Sequence, residues 1–261
     1  MATLVISDIH ERLDKLANAL SGRVEKASRV VFLGDWFDAF GKVDLGRVNM
    51  VCRFINGNID GIFYEPKDNE EPGRLVPVDF LLGNHDCHYF FQHNGFKCSG
   101  YENRKQDAID TLIPRSVMEK FHIFTRVGPY LLSHAGFHKG NMDLATPEAE
   151  RHHLQIAHDG GFSKMWGAGM ARGGNQALGG PTWLDWNDEF GHIDGTPQIV
   201  GHTNQRDNLP KSKGITKADS TVNAEGNLSV EMGLMSHCID TALRHVLWLE
   251  DDGRVTIEQC N

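Results

Sequence analysis

The sequence predicts an α/β fold, one domain built on a largely parallel sheet. Two observations predict it. Short apolar runs alternate with stretches of helical periodicity over the first third of the chain, and polar clusters fall directly after the apolar runs. At 261 residues the chain is long enough to bury a substantial core. No segment reads as a linker, so residues 1–261 are taken as a single domain.

Thr3 to Ser7 is the first strand-like run, and Leu13, Leu16, Ala17 and Leu20 then recur at helical spacing. Val30 to Leu33 is a second buried strand. Val48, Val51, Cys52 and Ile55 share one face of a second helix, and Val78 to Leu82 is a third strand. This β-α-β-α-β order implies parallel strands with covering helices. Residues 56–77 are polar and rich in turn formers, and read as a surface insertion. Tyr130 to Ser133 and Gln198 to Val200 are further strands, with a helix from Pro147 to His158 between them. The Gly-rich stretch from Gly160 to Gly180, part of an irregular region reaching residue 190, is expected to be a mobile loop that shapes a substrate mouth. The tail alternates strands (Leu228 to Met232, Cys238-Ile239, His245 to Leu249, Val255 to Glu258) with tight turns such as Asp252-Gly253.

Charge and cysteine usage narrow the function. Lys plus Arg number 26 against 35 Asp plus Glu, a formal charge of −9, which argues against broad binding to nucleic acid or anionic membranes. A phosphate-bearing substrate stays open, because bound divalent cations reverse the local sign of a cleft. The five cysteines form no CxxC pair, which implies reduced thiols in a cytoplasmic setting. No stretch has the length of a membrane span, and Thr3-Leu4-Val5-Ile6 stands where a leader would be, so secretion is not expected.

The chemistry lies at the strand ends. Ser7-Asp8-Ile9-His10 comes directly after the first strand, Gly34-Asp35-Trp36-Phe37-Asp38 after the second and Gly83-Asn84-His85-Asp86 after the third. Ser133-His134-Ala135-Gly136 and Gly201-His202-Thr203 close two later ones. Carboxyl ends of parallel strands are where open α/β sheets bind ligands, so five clusters are expected to converge. Carboxylate, imidazole and amide oxygen suit Mn²⁺, Fe or Zn²⁺ rather than a soft ion. One Asp can place its two oxygens on cations about 3.5–4 Å apart, as two-metal hydrolysis requires. Taken singly each piece is weak: Asp8 could cap a helix, Gly-Asp is a common turn, and a lone His134 or His202 is more often a satisfied core histidine. The ordered combination is what carries the inference.

In that order the motifs resemble those of the calcineurin-like metallophosphoesterases, from Asp8 to Thr203. Cys238-Ile239-Asp240-Thr241 is similar to the closing strand of the phosphoprotein-phosphatase branch. The resemblance implies a four-layer fold, two mixed sheets packed face to face and flanked by helices. It implies two divalent cations, Mn²⁺ first with Fe, Zn²⁺ or Ni²⁺ as alternatives. Asp8, His10 and Asp35 would hold one; Asp35, Asn84, His134 and His202 would hold the other. His85 would be the general acid, oriented by Asp38 or by Asp86, and a water acidified by both cations would attack phosphorus in line.

Two departures bear on the substrate. The run Gly201-His202-Thr203-Asn204 lacks the second His of the nuclease and phosphodiesterase branches. That favours the branch of the serine/threonine phosphatases and diadenosine tetraphosphatases. The protein phosphatases usually carry Arg after the second Asp, where this chain has Ala39, so a phosphate-clamping arginine must come from elsewhere, with Arg12, Arg172 and Arg206 as candidates. Trp183, Trp186 and Phe190 either frame a substrate mouth or pack in the core, the core being expected for at least one Trp. Phosphomonoester hydrolysis on phosphoserine or phosphothreonine proteins, or on small phosphate esters, is the leading expectation. Hydrolysis of dinucleoside polyphosphates is the alternative. A non-catalytic interaction scaffold is a third reading, against which the presence of His85 counts.

Overall fold

The structure is a computed structural model that describes residues 2–65, 73–205, 207–214, 220–222, 228–230 and 235–260. In chain order the elements are β1 (Ala2–Ile6), α1 (Leu13–Leu20), β2 (Arg29–Phe32), α2 (Leu45–Asn58), β3 (Ile62–Tyr64), β4 (Arg74–Val76), β5 (Val78–Phe80), α3 (Asn84–Phe90), α4 (Asn103–Leu112) and α5 (Arg115–Met118). They continue as β6 (Phe124–Val127), β7 (Tyr130–Ser133), α6 (Pro147–His158), β8 (Gln198–Val200), β9 (Lys211–Gly214), β10 (Ser220–Val222), β11 (Leu228–Val230), β12 (Met235–Cys238), β13 (His245–Glu250) and β14 (Val255–Gln259).

Two mixed sheets result. The first has the order β10-β11-β14-β13-β1-β2-β5 and the second β6-β7-β8-β12-β9. Each holds a parallel triplet, β1-β2-β5 in one and β7-β8-β12 in the other. Period-two alternation assigns the two faces of the first sheet. Leu4, Ile6, Val30, Phe32 and Phe80 pack with Leu16 and Ala19 of α1 and with Val48, Val51, Cys52 and Ile55 of α2. The intervening Val5, Val31 and Leu33 join Leu247, Leu249 and Ile257 against Tyr130, Leu132 and Ile199 of the second sheet. On that second sheet, Trp186 and Phe190 stack at 4.4 Å and pack with Val200 and Cys238. The expected face-to-face architecture is thus present.

Helix boundaries follow local chemistry. Asp44 accepts hydrogen bonds from the Gly46 and Arg47 amides and starts α2. Thr146 accepts from Ala149, with Pro147 opening α6, which runs over the residues the sequence predicts. The insertion differs from expectation. The second helix runs into it as far as Asn58, and β3 and β4 form an antiparallel hairpin; residues 66–72 lie outside the described residues. The third strand stops at Phe80, and Leu81 bridges to His122 instead. Of the run Leu228 to Met232, the strand covers Leu228–Val230 and the rest lies outside the described residues. No helix among the described residues is long and apolar enough to cross a membrane.

Candidate metal centre

The five strand-end clusters meet at one edge of the paired sheets. His10, Asp35, Asp38, Asn84, His85 and His202 line a cleft of about 710 Å³, with Asp8 and His134 buried beside it. Close backbone approach makes this convergence work. Gly34 has φ +101°, and a Cβ there would strike the Gly83 backbone, so the ends of β2 and β5 touch. The buried Asp86 carboxylate accepts from the amides of Asp35, Trp36 and Gly83 at 2.8–2.9 Å. The amides of Ile9 and His10 both donate to Asp35 O, which ties in the end of β1. Asp86 therefore stitches loops together; it is Asp38 that meets the His85 ring, Nδ1 to Oδ2 at 2.8 Å.

Two groups of ligating atoms share Asp35. Asp8, His10 and Asp35 bring theirs within 4.8 Å of one another, and so do Asp35, His134 and His202. Asp35 Oδ2 lies 3.6 Å from His10 Nε2 and 3.4 Å from His134 Nε2. Asn84 Oδ1 joins the second group, 3.2 Å from His134 Nε2, and His202 Nδ1 lies 3.1 Å from the same atom. The surrounding structure fixes the rings. His10 Nδ1 pairs with Phe37 O and His134 Nδ1 with Leu33 O, each at 2.8 Å. Both Nε2 lone pairs then face Asp35, the arrangement by which backbone carbonyls orient metal-bound histidines. At His134, Nε2, Asn84 Oδ1 and Asp35 Oδ2 thus come together as lone-pair donors that a shared cation would satisfy. The donor set fits divalent metals of the Mn²⁺, Fe and Zn²⁺ type.

The electrostatics of the bare cluster agree. Burial alone would raise the Asp35 carboxyl, yet His134, His85 and His10 hold it well below the usual carboxylate range. Burial would lower His134, and Asp35 and Asp8 push it up to about 9 instead. Asp8 is raised well above its ordinary value by burial and then by Asp240 and Asp35.

Behind His85 stands a buried network that no sequence motif marks. Lys105 Nζ donates to Asp38 Oδ1 at 2.8 Å and to Glu11 Oε1 at 2.7 Å, and Tyr89 Oη also donates to Asp38 Oδ1. Glu11 Oε1 accepts from the Asp38 amide. His88 Nε2 lies 2.7 Å from Asp38 Oδ2. Despite burial, the hydrogen bonds of His85 and His88 and that of Lys105 hold Asp38 below its usual range. Burial would depress His85, but Asp35 and Asp38 push it up to about 11. One signal for Lys105 is present: it sits four residues before Ile109, on the buried face of α4.

The cleft wall comes from the predicted loop region. Arg172, Trp183, Asp185, Asn187 and Asp188 line it, and Trp183 reaches within 5.7 Å of the His202 ring. Trp183 is thus the mouth residue, whereas Trp186 and Phe190 are core. The Glu189 carboxylate accepts from the amides of Ala171, Gly179 and Asp185, anchoring the segment at three points. That anchoring describes a built wall more than a free lid. Arg12 and Arg172 both line the cleft; Arg206 lies outside the described residues. Arg172 is committed to Asp185 Oδ2 at 2.7 Å and Thr203 Oγ1 at 2.8 Å.

Comparison with known proteins accords with this geometry. The family model described as calcineurin-like phosphoesterase matches residues 1–206. No curated protein matches the chain. Among solved structures, the cold-active protein-tyrosine phosphatase of a psychrophilic Shewanella species is similar, with 17% identity, a TM-score of 0.56, and coverage of 100% of this chain and 80% of that one. A metallophosphoesterase from Sphaerobacter thermophilus gives 17% identity and a TM-score of 0.45 over 100% of this chain and 89% of its own. The first likeness supports the fold. The family match, spanning most of the chain and all five strand-end clusters, places it among the calcineurin-like phosphoesterases, as a metal-dependent phosphoester hydrolase.

Proposed function

We propose that the protein hydrolyses phosphomonoesters, with phosphoserine and phosphothreonine peptides as its substrate class, using two divalent cations, Mn²⁺ foremost. Asp8, His10 and Asp35 hold one and Asp35, Asn84, His134 and His202 the other, with Asp35 between them. The observation that carries this reading is the membership of Asp35 in both ligand groups, beside a His85 whose Nδ1 is fixed by Asp38. When bound, such cations supply Lewis acidity at the phosphoryl oxygens and a hydroxide nucleophile at neutral pH. The chain's own part is to orient and to move a proton. Asp38 holds the His85 ring so that Nε2 can protonate the leaving oxygen, and Arg12, whose Nε donates to Ile9 O at 3.3 Å, has donors to spare for a phosphate oxygen.

A second reading, hydrolysis of dinucleoside polyphosphates, is favoured by aromatic faces at the cleft. Trp183 lines it and Phe40, 92% exposed, stands on its rim; each offers a surface on which a base can stack. The test is a comparison of kcat/KM for Mn²⁺-loaded protein on p-nitrophenyl phosphate, its bis ester, phosphoserine and phosphotyrosine peptides, and diadenosine tetraphosphate. Phosphoserine peptide and aryl monoester should lead. Preference for diadenosine tetraphosphate moves the assignment to the second reading, and preference for the bis ester refutes both.

A further inference from the structure

A further group of ligating atoms lies beside the centre and shares none of its proposed ligands. His85, His88 and Cys98 bring two ring nitrogens and a thiol within 4.8 Å of one another. Cys98 Sγ is 3.2 Å from His88 Nδ1 and 4.0 Å from His85 Nδ1. A tetrahedral zinc-like ion with a metal–sulfur distance of about 2.3 Å and metal–nitrogen distances of about 2.0–2.1 Å sets its S···N separations near 3.6 Å, between the two observed values.

The surroundings favour ligation. His88 is 1% exposed, with the Asp38 carboxylate 2.7 Å from its Nε2 and the Cys98 sulfur 3.2 Å from its Nδ1. A carboxylate behind the ring is how metal-bound histidines are commonly backed. His85 and His88 are three residues apart on α3, so they share a face, and Cys98 arrives from the loop after α3. Cys98 is partly exposed and its neighbours Ser99 and Gly100 line the cleft, which gives an ion a way in.

We propose that His85, His88 and Cys98 form a third cation site, selective for thiolate-seeking ions such as Zn²⁺ and Cd²⁺, and that its occupancy switches the hydrolase off. Selectivity follows from donor type. The binuclear centre offers only oxygen and nitrogen, which suit Mn²⁺, whereas a thiolate draws softer ions. On binding, the Cys98 thiol proton and the His85 Nδ1 proton both leave to solvent, and His85 Nδ1 exchanges its contact with Asp38 for the cation. An imidazole with a cation on Nδ1 releases its Nε2 proton far less readily than an imidazolium does, so the leaving oxygen loses its acid. The switch rests on the proposed role of His85; the site itself does not.

The experiment titrates the Mn²⁺-loaded protein with Cd²⁺. Three readouts are taken: near-ultraviolet sulfur-to-cadmium absorbance, alkylation of Cys98 by iodoacetamide followed by peptide mass spectrometry, and hydrolysis of an alkyl phosphate normalised to each protein's rate before Cd²⁺. One equivalent should raise the band, protect Cys98 from alkylation and lower the rate about 100-fold, a modest share of a general acid's worth. Cys98→Ser should abolish the band, and His88→Gln should weaken Cd²⁺ binding about 10–100-fold. No band in the wild type, no protection of Cys98, or a band that persists in Cys98→Ser overturns the site. The wild-type protection result stands even where a variant fails to fold. Inhibition that persists in Cys98→Ser comes from the binuclear centre and overturns the switch. Band and protection without inhibition keep the site, remove the switch, and remove His85 as the acid.

Discussion

Replacing Lys105 with Met probes what holds the proposed acid in place. The side chains of Lys105, Glu11 and Asp38 are only 2–3% exposed, and the ammonium bridges both carboxylates. Met keeps the stem and removes the charge, leaving two buried carboxylates without their shared cation. Removing one partner of a buried ion pair costs about 3–5 kcal/mol. Compensation pulls the value toward about 3 kcal/mol, since Asp38 keeps His85, His88 and Tyr89, and Glu11 keeps the Asp38 amide. Adding Glu11→Gln removes one stranded charge, so the double variant should be more stable than the sum of the single losses predicts, by about 1–3 kcal/mol. Urea unfolding of metal-loaded protein, followed by tryptophan fluorescence, measures each term of the cycle, provided the denaturant slope is constant. In the same preparations kcat should fall while metal content holds, because Lys105 touches Asp38 and none of the proposed ligands. A loss below about 1 kcal/mol, the range of exposed pairs, or strict additivity, would refute the reading of Lys105 as the clamp on Asp38.

Asp35→Asn should lower bound metal from two ions per chain toward one, read by elemental analysis after Mn²⁺ reconstitution; unchanged stoichiometry removes the bridging role. His85→Ala should keep both metals and lose about 10²–10⁴ in kcat on alkyl phosphates, with a smaller loss on p-nitrophenyl phosphate, whose leaving group departs without a proton. Equal losses on both recast His85 as a phosphate-binding or structural residue. His237 gives a pH prediction away from the centre: it is fully buried, and burial holds its ring down at about 4. Its unfolded value is about 6.5, so the unfolded chain binds the extra proton between these values, and the contribution is complete above pH 6.5 and lost as pH falls toward 4. By pH 5 that is about 2 kcal/mol. His237→Gln should therefore flatten the fall in the urea midpoint between pH 7 and 5, and an unchanged slope would show that the ring does not govern it.

The features legible in the sequence are those that packing writes as a period. Val48, Val51, Cys52 and Ile55 recur at helical spacing because one side of α2 rests on the first sheet, and they are buried there. Asp8, Asp35, Asn84, His134 and His202 are legible for a different reason: each comes just after an apolar strand, where packing gives no cause for a polar residue. The elements that escape a sequence reading carry little pattern of their own. α3 opens on Asn84 and His85, so its start reads as a loop of ligands, and its buried face includes Asp86 and His88. The helix α4 buries Lys105 and Ile109 within an otherwise polar stretch, too thin a stripe to stand out. Cys98 and His88 belong to no strand end, and their proximity depends on how the loop after α3 folds back.

Backbone conformation ties the site to the fold more tightly than any ligand list. Among the described residues, nine that are not glycine have positive φ, and six of them are Asp8, His10, Glu11, Asp35, Asp38 and His202. Each such residue costs on the order of 1–3 kcal/mol and persists only where its surroundings over-determine it. Those surroundings are identifiable here. The Asp35 carbonyl takes two amides from the end of β1, Asp86 takes three from the loops after β2 and β5, and Asp8 takes the His202 amide from the end of β8. The strands that feed these turns are anchored by Val5, Val31, Leu33 and Ile199 in the core between the sheets. Burial of that core therefore offsets strain at four of the six residues proposed to hold the cations, Asp8, His10, Asp35 and His202. The geometry of these proposed ligands is set by backbone already turned into place, so cation binding there need not supply the energy of organising it.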